Sequence, residues 1–144
     1  PRPVLRQFNT AKQAADLHSN FFCQVVLHRY LTTTDLDAHT RAVSRVYGEW
    51  CRLMCELLDD LMPRGMTHTT PEGGMFLLCT LPPGVSSMEV FSEGIREGVA
   101  VLPGVPFYVD GGGTDTIRLN FSNAGEDAIH EGIARLSRVM KRLA

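Results

Sequence analysis

Arg118 stands at the centre of the segment Thr116-Ile117-Arg118-Leu119-Asn120-Phe121, and its side chain offers the most specific chemistry in the chain. A guanidinium is planar and always charged, and its parallel N–H groups match the two oxygens of a carboxylate. Strict alternation puts Ile117, Leu119 and Phe121 on one face of a strand and Thr116, Arg118 and Asn120 on the other. Arg118 is then a carboxylate fork on a rigid support. The same pattern also fits an arginine that points at water or at a surface acid, and periodicity alone does not separate the two.

The other reactive side chains make weaker patterns. Cys51 and Cys55 stand four residues apart, so on a helix they share a face and have the spacing to grip a metal with His39 or His68. Without a C-x-x-C pair, the simpler reading of these two, and of Cys23 and Cys79, is small reduced hydrophobes in a cytoplasmic protein. No metal is expected. His18, His28, His39, His68 and His130 are scattered, and sequence places no serine or cysteine beside His68 for a triad. The chain has two lysines, Lys12 in an early helix and Lys141 in the basic last turn of a terminal one. Gly73-Gly74 and Gly111-Gly112-Gly113 are each followed by a strand, whereas phosphate-cradling loops open a helix. The first pair reads instead as a place where backbone passes close to a neighbouring element.

The elements that must position these residues follow from periodicity and punctuation. Residues 9–32 read as two helices broken at Ser19-Asn20, with Asn9 or Thr10 capping the first. Thr34 or Asp35 caps a long helix to about residue 62. Leu36, Val43, Val46, Tyr47, Trp50, Met54, Leu57 and Leu61 form its apolar stripe, and packing is expected to hold Gly48 within it. Tyr47 and Trp50 read as core, and Arg41, Arg45 and Arg52 as the solvated face. Strands are expected over 66–70 and 74–81. Ser86-Ser87-Met88-Glu89 is a capping box; the helix it opens packs Met88, Phe91 and Ile95 inward and stops at Gly98. A short strand over 99–102, the Arg118 strand and a helix over 125–143 complete the order. The last helix buries Ile129, Ile133, Leu136, Met140 and Leu143. The order implies an α+β fold: a small mixed or antiparallel sheet of three to four strands packed against helices. Residues 1–33 read as a helical connector and 34–144 as the α+β domain.

Bulk properties set the frame. A chain of 144 residues, 44% hydrophobic and 21% charged, is one domain's worth of ordinary globular sequence. A net charge of −2 gives no general attraction to nucleic acid or anionic membrane. No apolar run approaches the roughly 20 residues of a membrane span. Neither a nucleic acid nor a membrane partner is expected of this segment.

Five ordered segments resemble a known family: Ala11-Lys12-Gln13-Ala14-Ala15-Asp16-Leu17-His18, Pro71-Glu72-Gly73-Gly74-Met75-Phe76, residues 98–104 with Phe107-Tyr108, Ile117-Arg118-Leu119-Asn120-Phe121, and residues 129–136. They are similar to the C-terminal small domain of the class I/II, fold-type I pyridoxal-phosphate aminotransferases, in the branch holding 2-aminoadipate and kynurenine aminotransferases. MocR-type transcription regulators use the same domain. The resemblance implies that Arg118 binds the α-carboxylate of an amino acid or 2-oxo acid. It also implies a cytoplasmic, homodimeric parent that carries pyridoxal phosphate on a lysine. Neither Lys12 nor Lys141 matches that lysine. The expectation is therefore a C-terminal fragment without catalytic residues of its own, binding no cofactor, inactive alone and separated from an N-terminal large domain. The alternative is the effector half of a MocR-type regulator.

Overall fold

A computed structural model describes all residues from Pro1 to Ala144 and divides them into two compact units, Pro1–Arg41 and Ala42–Ala144. The first unit holds α1 (Arg2–Ala15), α2 (Phe21–Thr33) and the first turns of α3 (Leu36–Leu61). α1 begins seven residues or more before the expected cap. Pro3 lies in its opening turn, where the missing N–H costs nothing because that turn leaves its amides unbonded. The break at Ser19-Asn20 is present, and Asn20 caps α2 by accepting the Cys23 N–H at 3.1 Å. Asp35 caps α3 by accepting the Ala38 N–H at 2.8 Å. No residue of α1 or α2 is buried.

The second unit is built on a four-stranded antiparallel sheet in the order β1 (Thr67–His68), β2 (Phe76–Thr80), β4 (Thr116–Asn120), β3 (Leu102–Pro103). One face of it is sealed. Leu77 and Cys79 of β2, with Ile117 and Leu119 of β4, share a single core with Met54 and Leu58 of α3, Val90 of α4 (Ser87–Arg96) and Ile129, Ile133, Leu136 and Met140 of α5 (Glu126–Leu143). The α+β layering and the α5 stripe stand as expected, with Leu143 half-buried. Ser137 ties two layers together, its Oγ donating to the Leu61 carbonyl at 2.7 Å.

Several local expectations are corrected. On α3 Met54 and Leu58 are buried, and Tyr47, Trp50, Leu57 and Leu61 pack half-buried against the core as expected, the Tyr47 and Trp50 rings stacking with centroids 6.1 Å apart; Leu36 departs from the stripe and is exposed. A Cβ at Gly48 would meet nothing within 4 Å, so no close neighbour requires a glycine there. The capping box of α4 is present, with Met88 N–H donating to Ser86 Oγ and Ser86 N–H to the Glu89 carboxylate. The inward face differs in part: Phe91 packs half-buried against the core as expected and Val90 and Gly94 are buried, whereas Met88 and Ile95 are half exposed. Gly94 turns inward because the chain closes on it. A Cβ there would stand 2.7 Å from the Val99 carbonyl oxygen. Gly98, at φ +73°, lets Val99 N–H reach the Gly94 carbonyl and so ends the helix. That closure uses Val99, so β3 starts later than expected, at Leu102. Pro103 fits there because β3 is an edge strand.

α5 grips the end of α4. Arg135 donates to the carbonyls of Glu97 and Gly98 at 3.3 and 3.2 Å, and Arg142 meets the Glu97 carboxylate at 2.7 Å with Arg138 at 3.7 Å. Cations at a helix C-terminus complement its dipole. The hydrogen bond from Arg142, with the charges of Arg142 and Arg138, holds the Glu97 carboxyl below the usual glutamate range.

Candidate functional site

β4 is one of the sheet's two inner strands, so its register fixes Arg118 between two neighbours: Leu78 on β2 and Leu102 on β3. Ile117 and Leu119 point into the core, which places Arg118 on the opposite face, half-buried. Phe76 shares that face, because it opposes Asn120, two residues from Arg118 along β4. The Arg118 guanidinium carbon lies 4.1 Å from the centroid of the Phe76 ring and 4.4 Å from that of Phe107. Rings this close attract the cation through their negative faces. None of the ion pairs or side-chain hydrogen bonds of the protein engages Arg118: no acid here claims the fork. Its contacts are the two rings, and its N–H donors have no partner within the chain.

Phe107 is brought in by a 3-10 turn, Val105–Phe107, immediately after β3. Backbone bonds moor that turn to β4: Gly104 N–H donates to the Thr116 carbonyl and Phe107 N–H to the Gly104 carbonyl, both at 2.8 Å. Only glycine fits at 104. A Cβ there would overlap Thr116 Oγ1 and stand 2.9 Å from the Gly113 carbonyl oxygen. At the far end of β4, Asn120 Oδ1 accepts from Ser122 N–H and Asn123 N–H at 2.8 and 3.2 Å, turning the chain out of the strand. Asn120 thus shapes the loop, while Arg118 faces the open side.

The remaining candidates fall outside this face. Cys79 lies in the core and burial pushes its thiol up to about 12; Cys55 is raised to about 11, by burial first and then by Cys51. These are protonated thiols at neutral pH, suited to packing more than to nucleophilic attack. His68 sits on β1 with Nε2 3.0 Å from Asp59 Oδ1 and Nδ1 3.0 Å from the carbonyl of the next residue, Thr69, so its partners are an acid of α3 and the adjoining backbone, with no serine or cysteine between. A Cβ at Gly73 or Gly74 would meet nothing within 4 Å, which removes the close-approach reading. Gly74 is there for its φ of +86°, as the turn into β2 requires. Lys12 is paired with Asp16 at 2.9 Å, and Lys141 lies in the last turn of α5, behind the core.

A family model for class I and II aminotransferases matches residues 9–136. The chain belongs to the class I and II aminotransferases. It is 37% identical to 2-aminoadipate transaminase of Thermus thermophilus over 140 residues, covering 97% of this chain and 35% of the relative. It is 36% identical to aromatic-amino-acid aminotransferase 1 of Thermococcus litoralis, covering 95% and 33%. The crystal structure of the Thermus α-aminoadipate aminotransferase, complexed with N-(5'-phosphopyridoxyl)-L-leucine, superposes with a TM-score of 0.90 at 37% identity over 98% of this chain and 36% of that one. Kynurenine aminotransferase of Pyrococcus horikoshii also gives 0.90, at 40% identity over 97% and 35%. This aminotransferase chain spans about a third of the length of the curated relatives it matches.

The residues of this aminotransferase chain do not by themselves fit pyridoxal phosphate. The Arg118 face carries no lysine, the ammonium of Lys12 is taken by Asp16, and the glycine-rich turns lead into strands. The sequence places Arg118 on the open face of a strand but does not show the two rings beside it. Phe76 had a usable signal, an aromatic in step with Arg118 on the open face. Phe107 had none, since its approach depends on how a turn folds back.

Proposed function

We propose that this chain is the substrate-carboxylate-binding part of a pyridoxal-phosphate-dependent aminotransferase, with Arg118 gripping the α-carboxylate. The observation that carries the reading is a guanidinium fixed by two rings on an inner strand and claimed by no acid of its own chain. Amino-group transfer turns an amino acid into a 2-oxo acid and a second 2-oxo acid into an amino acid. The α-carboxylate is common to all four molecules and takes no part in bond making. One arginine can therefore serve both half-reactions, holding each substrate in the same orientation. The cofactor supplies the electron sink for this chemistry. Since the residues here do not form its site, it and its lysine belong to the rest of a longer protein, and the 144-residue chain alone is inactive.

The test is Arg118→Ala in the full-length protein. Losing one partner of a charge-assisted pair in a partly desolvated site costs about 3–4 kcal/mol, or roughly 10²–10³ in kcat/KM for both substrates. Arg118→Lys keeps the charge but loses the planar fork, and recovers only part of the loss. Unchanged turnover in Arg118→Ala removes the assignment.

A further inference from the structure

We propose that Phe76 and Phe107 are positioning residues that hold the Arg118 guanidinium in its binding pose and set carboxylate affinity through it; this rests on the carboxylate reading above. An arginine on an open strand face has many rotamers, and ordering it at the moment of binding would weaken the complex. A carboxylate neighbour could fix the side chain, but it would occupy the same N–H groups that a substrate needs. Aromatic rings solve this differently. They attract the cation through the π face and leave every N–H donor unused.

The architecture fits this division of labour. The rings come from the two strands that flank β4, Phe76 at the start of β2 and Phe107 just after β3, with guanidinium distances of 4.1 and 4.4 Å. Phe107 is tied through Gly104 to the Thr116 carbonyl, two residues before Arg118 on the same strand, so ring and cation share one backbone frame. Both rings remain exposed, at 37% and 50%, and neither belongs to the core. Packing on this chain's core therefore does not account for them. Apolar surface beside the guanidinium also keeps water from it, which strengthens its attraction for an anion.

The experiment measures steady-state kinetics of the full-length enzyme with Phe76→Leu, Phe107→Leu and Phe107→Tyr, each in the natural background and beside Arg118→Gln. The leucine variants are expected to raise KM for both amino acid and 2-oxo acid by about 3- to 30-fold, with kcat far less affected. Phe107→Tyr restores a ring and recovers most of the loss. Beside Arg118→Gln the leucine changes should add nothing, because the cation they position is gone. Leucine variants with unchanged KM, alongside a large Arg118→Gln defect, overturn the positioning role and leave the carboxylate reading standing. Leucine effects that persist undiminished beside Arg118→Gln, or a tyrosine as harmful as leucine, overturn it in favour of packing. A harmless Arg118→Gln overturns both readings at once.

Discussion

The two faces of β4 diverge from Ile117 onward although their residues alternate along one strand; only Thr116, beneath the Gly104 turn, is buried on the Arg118 side. Ile117 and Leu119 are sealed beneath α3, α4 and α5, while Arg118 and Asn120 look out on a face flanked by exposed Phe76, Leu102 and Phe107. One face supplies folding free energy through apolar burial; the other presents a cation and its aromatic flank to whatever approaches. The contrast teaches that a pleated strand can carry stability and recognition on successive residues with little interference, because the two sets touch different neighbours.

That separation can be broken or sharpened by substitution. The largest contrast is between adjacent residues. Ile117→Ala should cost about 2–5 kcal/mol of stability in urea unfolding while leaving kcat/KM per folded molecule in place. Arg118→Ala should do the reverse, with the 10²–10³ loss given above and a melting temperature nearly unchanged. A variant pair that lost both properties together would mean the faces are coupled. Gly104→Ala is the substitution expected to cross over. Its Cβ overlaps Thr116 Oγ1, so it should destabilise by about 1–3 kcal/mol and also raise KM by displacing Phe107; thermal melts and kinetics on one preparation check both. The smallest effect lies away from the open face. Glu97 has a carboxyl lowered from 4.5 by Arg142, so its contribution is complete above that value and is lost as pH falls through the lower folded value. Stability should fall on acidification below about 4.5, and Glu97→Gln should flatten that limb of a melting-temperature profile without changing KM.

Sequence made the alternation of β4 readable because a half-buried strand leaves a period of two and a single charge marks the open side. The Ser86 box and the α5 stripe were readable for similar reasons, since each is a local pattern with a local cause. What escaped depends on distant chain. On α4 the largest apolar residues suggest the inward face, and Phe91 does pack there, but Met88 and Ile95 stay exposed while Val90 and Gly94 are buried, where Val99 folds back against the helix. β3 slid to Leu102 for the same reason. α1 begins before the Asn9 or Thr10 cap that the sequence suggests, with Pro3 in its first turn, where a proline costs nothing. The contact of Phe107 with Arg118 spans a turn, an edge strand and a glycine that tolerates no side chain, and no spacing rule encodes it.

The inner position of β4 has a further consequence, for motion. Its ladder is bonded on both sides, and every residue from Thr116 to Asn120 has a partner on β2. Segments of this kind exchange their amide hydrogens only when a whole cooperative unit opens, unlike termini and loop tips, which fray freely. Arg118 is therefore anchored in the slowest-opening part of the second unit, and its backbone cannot come loose while the core stays closed.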